Sequence, residues 1–430
     1  MIYDSVEEII DAIYGYMDSH MVTGTRWGHD YYFYKPANTK YGPYQWLWDS
    51  GWHMIVNAYR DPSKSVRDIQ SMFKFQQDSG FVPEMIFWGE EESSLIKKLG
   101  DRLFGYSNEK YTDITQMPML PYALRTIYAQ TDDLEFVKEY VPKMVKYFKW
   151  WESERDPDED GLISIIHPWE SGIDATPLYD KAHGVEKPGF WGLYPKFLLL
   201  LRKYKKKANW NLQAILEKSW FNVEDVGVCS VYADGWGVLA DLAKEFDGDL
   251  AAECRKKNTK YENAVLQKCW DPVREQFISY YHYNSRVEDG ISEEKLLPET
   301  VQSLFPLLLR HIPDEIQSIL IKKIQDPAKF GLKYPIPSVS KSEPTFNPHQ
   351  SRLLWRGPTW PCTTWLVMEG LMKHGHLELA NSILDKWIEM YKINDIYEYH
   401  NPITGEGLGE KGLGMSLVII DMLYRMNRVL

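Results

Sequence analysis

Apolar residues return every three or four positions along most of this 430-residue chain, and that spacing confines it to folds built from helices. In Val6-Glu7-Glu8-Ile9-Ile10-Asp11-Ala12-Ile13-Tyr14 they form one stripe. Asp61-Pro62-Ser63 opens another helix with an Asp cap and a first-turn proline, before Val66, Ile69, Met72 and Phe73 line one face. The same reading predicts helices near 113–131, 133–151, 190–206, 209–220, 231–244, 247–268, 299–311, 313–324, 358–373, 376–391 and 413–428. Short turns such as Ala129-Gln130-Thr131-Asp132, Phe246-Asp247-Gly248 and Lys373-His374-Gly375-His376 separate successive partners, as in antiparallel helical hairpins. Strand-like alternation is scarce, and no repeat of roughly 34 or 40 residues marks an open solenoid. The expected architecture is all-α, an (α/α)6 toroid of helical hairpins. It forms one catalytic domain over residues 1–430, with rim loops near 21–48, 80–112, 156–190 and 333–357.

Charge and composition remove several functions. A net charge of −12 argues against a nucleic-acid partner, which needs a concentrated basic face, and the run Lys203-Tyr204-Lys205-Lys206-Lys207 reads as a solvated helix end. The cysteines Cys229, Cys254, Cys269 and Cys362 are too scattered for a zinc site or a disulfide framework. The start Met1-Ile2-Tyr3-Asp4-Ser5-Val6-Glu7-Glu8 lacks a signal-peptide pattern, and no run approaches the ~20 apolar residues of a membrane span, so the expected location is the cytoplasm, without a membrane partner. The 17 Trp and 28 Tyr often stand beside Gly, Pro, Asp or Glu, a mixture that suits sugar binding: a flat ring covers the C–H face while carboxylates and amides bond the hydroxyls. Most of those Trp also suit a large helical core.

Four segments carry candidate chemistry. In Tyr44-Gln45-Trp46-Leu47-Trp48-Asp49-Ser50-Gly51-Trp52-His53, Asp49 fits a helix cap as well as a sugar partner, and Trp48 fits a platform. His167-Pro168-Trp169-Glu170-Ser171-Gly172-Ile173-Asp174-Ala175-Thr176-Pro177 holds two carboxylates beside Trp. Aromatic walls and a like charge raise a carboxyl pKa, as a general acid requires, although surface turns also collect such residues. Trp355-Arg356-Gly357-Pro358-Thr359-Trp360-Pro361 starts a helix, and its Arg356 fork suits a carboxylate of protein or substrate. In Ile396-Tyr397-Glu398-Tyr399-His400-Asn401-Pro402-Ile403-Thr404-Gly405-Glu406-Gly407-Leu408-Gly409, Glu398 is a candidate general base that tyrosine hydroxyls would orient, with His400 and Glu406 as competitors. Two lesser segments are Asp156-Pro157-Asp158-Glu159-Asp160-Gly161, read as an acidic turn without a calcium-loop pattern, and Thr112-Asp113-Ile114-Thr115-Gln116-Met117-Pro118, a capping sequence whose Gln116 also suits a sugar hydroxyl.

In this order, the motifs W-L-W-D-S, W-E-S-G-x-D, W-R-G-P-x-W and Y-E-Y-x-x-P-x-T-G-E-G resemble glycoside hydrolase family 63, in particular its short members acting on mannosylglycerate and glucosylglycerate, over about residues 40–415. The resemblance implies an (α/α)6 barrel and hydrolysis with inversion, with Asp174 as acid and Glu398 as base. It also implies that Trp48, Asp49, Gln116, Trp169, Glu170, Trp355, Arg356 and Trp360 hold the sugar, and that neither metal nor organic cofactor takes part. One departure touches the aglycone side: Lys411-Gly412-Leu413-Gly414-Met415-Ser416 stands where relatives carry an aromatic-rich stretch.

Inversion predicts carboxyl groups roughly 6.5–9.5 Å apart, with room for a water. A trehalase-like hydrolase of a disaccharide shares the barrel and the paired carboxylates. A sugar epimerase would instead use facing histidines, for which His53, His167, His349 and His400 are the candidates. A binding module without turnover is the third rival. Gly80, Gly89, Gly100 and Gly105 are candidate hinges for a lid.

Overall fold

The computed structural model of the chain describes residues 1–38, 42–89, 106–185, 189–285, 290–349 and 353–429. Gly100 and Gly105, two of the candidate hinges, lie outside the described residues. Helix is the main secondary structure. Several helices begin where capping chemistry predicts: Ser5 accepts from the Glu8 N–H, Asp61 from Ser63 with Pro62 in the first turn, Asp133 from Phe136, and Asp247 from Leu250.

Burial divides the helical segments into two kinds. Every residue of Leu47–Ala58 is buried, as are the 3-10 segments Val301–Leu308 and Gly414–Val418; Val226–Ala243 and Pro361–Lys373 are nearly so. Such segments are buried on every face because packing surrounds them. Each packs on the next: Leu47–Ala58 on Leu120–Thr131, that on Val226–Ala243, then Val301–Leu308, then Pro361–Lys373, then Gly414–Val418, which returns to Leu47–Ala58. Between them in sequence come Pro62–Phe73, Leu134–Arg155, Gly248–Ala264, Asp314–Gln325 and Leu377–Asn394, which bury only one face. Aromatic rings fill the middle: Trp52 meets Trp48 edge-on at 5.1 Å and Trp365 at 5.2 Å.

The polar residues of the enclosed segments separate by position. Asp49 lies in the first turn of its helix, Gln116 shortly before Leu120–Thr131, and Trp360 at the cap of Pro361–Lys373. Later turns hold an ion-pair network instead, in which Glu369 binds Arg125 at 2.6 Å and Arg425 at 2.5 Å.

Several boundaries differ from expectation. The stretch 21–48 is only partly loop, since Met21–Arg26 (β1) and His29–Tyr34 (β2) pair as an antiparallel hairpin whose tyrosines and phenylalanine pack inward. Aromatic side chains fit a half-buried pleated surface, and that preference outweighed the absence of clean alternation. Gln45–Trp46 (β3) pairs with Met85–Ile86 (β4), inside another expected loop. Residues 113–119 are irregular rather than helical, and 301–308 is a 3-10 segment that contains Pro306. A four-stranded sheet, in order β10-β9-β6-β5, joins Ser164–Ile165 (β5), Val223–Glu224 (β6), Ser279–Ser285 (β9) and Gly290–Leu296 (β10); Trp270–Asp271 (β7) and Gln276–Phe277 (β8) form a separate pair.

Candidate active site

The first motif is held by backbone pairing and by one amide. Leu47 N–H donates to the Glu84 carbonyl at 2.8 Å, and Trp48 N–H donates to Gln116 Oε1 at 3.0 Å. The Gln116 Nε2 group then reaches Glu84 Oε1 at 3.5 Å. Gln116 therefore satisfies the helix start with its own side chain. Asp49 is 5% exposed, and its Oδ1 has no hydrogen-bond partner.

The second motif is a 3-10 turn, Pro168–Ser171, followed by Gly172 in the left-handed region. At φ 71° a side chain is strained there, and a Cβ would come within 3.0 Å of the Trp48 indole, so glycine lets the loop lie on that ring. Glu170 is fully enclosed. Its Oε1 takes Arg155 Nη2 at 2.8 Å and Thr115 N–H at 3.3 Å, and its Oε2 takes Ile166 N–H at 2.8 Å. Asp174 is half-buried, and the side chains of Trp169 and Trp355 hydrogen-bond to it.

The third motif carries backbone strain. Trp355 has φ 70°, uncommon for a bulky residue and costing about 1–3 kcal/mol, and it stacks on Trp360 with ring centroids 3.5 Å apart. Trp360 stacks in turn on Tyr399 at 4.5 Å. Arg356 forks onto Asp180 at 2.8 and 2.5 Å, so this guanidinium is engaged by a protein carboxylate.

The fourth motif is a bulged hairpin of Tyr397–His400 (β11) and Gly407–Lys411 (β12). Tyr397 pairs with Lys411 and Tyr399 with Leu408, which leaves Gly409 and Glu410 opposite Glu398 alone. Gly409 takes φ 77°, and a Cβ on it would fall 2.4 Å from Glu398 Oε2. The bulge turns the Glu410 N–H toward the carboxylate, donating to Glu398 Oε2 at 3.0 Å. Ser416 holds the same strand through the Glu398 carbonyl at 2.8 Å.

The four motifs meet in a closed circuit. Trp48 lies under Gly172 of the Asp174 loop; Trp355 bonds Asp174, and Arg356 bonds Asp180 of the same loop. Thr359 and His400 exchange backbone hydrogen bonds at 2.9 Å, and Glu398 lies close enough to Asp49 to repel its negative form. Desolvation, reinforced by that repulsion, raises Asp49 to about 7. Desolvation likewise raises Asp174 to about 6, against hydrogen bonds from Ala175 N–H and the two Trp side chains. Glu84, which sequence reasoning missed, is completely buried and raised by desolvation and by Glu170, Asp174 and Asp49. Its place in Phe81-Val82-Pro83-Glu84-Met85 signals nothing, because pairing with Leu47 is what brings it inward.

These shifts fix a sign. Between the ordinary and the raised value of Asp174 the folded chain holds more protons than the unfolded one, so stability falls as pH climbs through that window and the penalty is complete above about 6. Asp174→Asn is expected to be more stable than the parent at pH 8 by about 1–2 kcal/mol, after discounting for partial exposure, and to lose that advantage below pH 4. Thermal melts at the two pH values check it; equal stability at pH 8 would refute it.

The candidate histidines are mostly enclosed. His53, His167 and His400 are buried and depressed by desolvation, to about 3, 3 and 4, while His349 is exposed. His167 is near the Phe197 carbonyl and accepts from Trp169 N–H; His400 lies 3.0 Å from the Gly405 carbonyl. A surface groove of about 500 Å³ around His183, Lys196, Lys203 and Trp220 contains none of the residues in the circuit.

The profile of the family described as "Mannosylglycerate hydrolase MGH1-like glycoside hydrolase domain" matches residues 42–416. The chain is 26% identical to the mannosylglycerate hydrolase of Thermus thermophilus over 417 residues, covering 90% of this chain and 95% of that one. It is 24% identical to the glucosylglycerate hydrolase of Mycolicibacterium hassiacum over 411 residues, covering 85% and 88%. Its fold is similar to the crystal structure of a family 63 mannosylglycerate hydrolase from Thermus thermophilus in complex with Tris and D-glycerate, with a TM-score of 0.81 and 24% identity over 97% of this chain and 100% of that chain.

Proposed function

The chain belongs to the MGH1-like glycoside hydrolase family, and from that membership we propose that it is an inverting hydrolase of a small α-glycoside, with mannosylglycerate or glucosylglycerate as substrate. The observation that carries this reading is the closed circuit joining Asp174 to Glu398 through stacked Trp rings on one side and Asp49 with Trp48 on the other. Two carboxyl groups kept in unlike surroundings can divide acid and base work.

In this mechanism Asp174 enters protonated and gives its proton to the leaving glycerate oxygen. Its value near 6 keeps a working fraction of the acid form near neutral pH. Glu398, held by the Glu410 N–H, removes a proton from water on the opposite face of the sugar. Trp48, Trp169, Trp355 and Trp360 frame the ring, Asp49 bonds its hydroxyls, and Gln116 sets the helix start beneath it. Glu170 and Arg356 act one step back, by holding the acid's loop through Arg155 and Asp180.

The fold proposed with it is one (α/α)6 catalytic domain spanning 1–430. The return of the ring of six packed segments to its starting helix supports it, as does the one-faced burial of their partners. No helix among the described residues is long and apolar enough to cross a membrane.

The test is a proton NMR time course with mannosylglycerate, glucosylglycerate, trehalose and kojibiose. The expected result is cleavage of a glycosylglycerate, with the β-sugar appearing before mutarotation. First release of the α-sugar would overturn inversion, and cleavage of disaccharides alone would overturn the substrate.

A further inference from the structure

The four-stranded sheet carries a cluster that the proposed hydrolysis does not use. Glu224 on β6, His282 on β9 and Glu293 on β10 each offer one donor atom, all within 4.8 Å of one another. Glu293 pairs directly with His282, and Glu224 pairs with Tyr280, two residues earlier on the same strand. Side chains two apart on a strand share a face, so all three emerge on one side of the sheet.

Glu224 is the unusual member. It is 2% exposed, and its Oε2 is enclosed without a hydrogen-bond partner. Its other oxygen stands 2.9 Å from His282 Nε2. Asp158 and Asp160, on the turn before β5, add to the negative field there, while Lys268 is drawn off to Asp160. A buried carboxylate in such a field calls for positive charge, and one neighbouring imidazole supplies at most a single unit.

We propose that Glu224, His282 and Glu293 form a binding site for one divalent first-row transition ion. Imidazole with carboxylates selects zinc, manganese or their neighbours over calcium and magnesium, which take all-oxygen sets. Donors on one zinc ion, at roughly 2.0–2.2 Å, stand about 3.4 Å apart in a tetrahedral array, so small side-chain rotations close the cluster on an ion. The exposed edge at Glu293 gives the ion a way in. The ion would clamp the β9–β10 hairpin to β6. That hairpin also reaches the loop beyond Asp174 through the ion pair of Glu294 with Lys181, so the site braces a flank of the proposed catalytic loop. Asp156, Asp158 and Asp160 form a second acidic group, but Lys260 stands 3.6 Å from Asp156 and Lys268 binds Asp160, so two ammonium groups already balance that turn.

The test uses the full chain, stripped with EDTA, dialysed and titrated calorimetrically with zinc chloride at pH 7.5. The expected result is one equivalent bound, with Kd raised at least about tenfold by His282→Asn and by Glu293→Gln, and changed less than threefold by Asp158→Asn. Zinc should raise the parent's Tm and leave both ligand variants unmoved. Glu293 is exposed, so its substitution keeps the sheet intact and the reading independent of folding. No saturable binding below millimolar zinc, or ligand variants that bind as the parent does, or loss confined to Asp158→Asn, would each overturn the site. Hydrolysis by the metal-free chain would leave the proposed function untouched.

Discussion

Asp174→Asn and Glu398→Gln are each expected to lower kcat by about 10²–10⁴-fold while leaving the fold and substrate affinity nearly unchanged. Each exchange keeps the shape of the side chain. An amide at position 174 could still accept from the Trp169 and Trp355 side chains that now bond the carboxyl, but it has no proton to give a glycosidic oxygen. An amide at position 398 could still accept from the Glu410 N–H, but it cannot take a proton from water. Removing an acid hurts most when the leaving group is poor, so an activated aryl glycoside should restore part of the rate to Asp174→Asn and none to Glu398→Gln. Single-turnover kinetics with both substrates decide the matter. Losses under about fivefold would sink the pair as acid and base, and would favour a binding module. Asp49→Asn is the comparison variant: Asp49, raised to about 7, is another group of the circuit able to hold a proton at neutral pH.

The second large effect concerns stability. Arg155→Met is expected to cost about 3–5 kcal/mol, because it leaves Glu170 fully enclosed with no cation. The two backbone N–H groups from Thr115 and Ile166 remain, and they do not neutralise the charge. Adding Glu170→Gln should recover a large part of the loss, since a neutral amide tolerates that site better than a lone anion. Urea unfolding of the parent, both single variants and the double variant closes the cycle. A loss under 1 kcal/mol, or single-variant losses that simply add, would show that the pair is not coupled.

The helical plan was legible because periodicity and caps are local. Ser5, Asp61 with Pro62, Asp133 and Asp247 begin helices for reasons contained within a few residues. The β1–β2 hairpin was not, since its tyrosines satisfy no clean alternation and take their direction from the helix packed against them. In the site, Trp48, Asp49, Asp174 and Glu398 stood out through aromatic neighbours, and the structure brings them into one circuit. Sequence could not say which way Glu170 and Arg356 face, because their partners Arg155 and Asp180 follow from tertiary packing. Tyrosine hydroxyls were the expected support of Glu398; a hydrogen bond to its carboxylate comes from the freed N–H of Glu410, which depends on one extra residue in the opposite strand. Glu84 was invisible for a related reason: nothing near it in the chain marks a carboxylate that tertiary pairing draws inward.

The segment Gly414–Val418 docks against Leu47–Ala58, its Gly414 N–H bonds the Pro36 carbonyl at 2.8 Å, and its Ser416 hydroxyl secures the strand of Glu398. Closure of the ring and the placement of Glu398 thereby rest on the same five residues. A substitution that loosened this one short segment would therefore disturb the closing contact of the ring and the seat of Glu398 together.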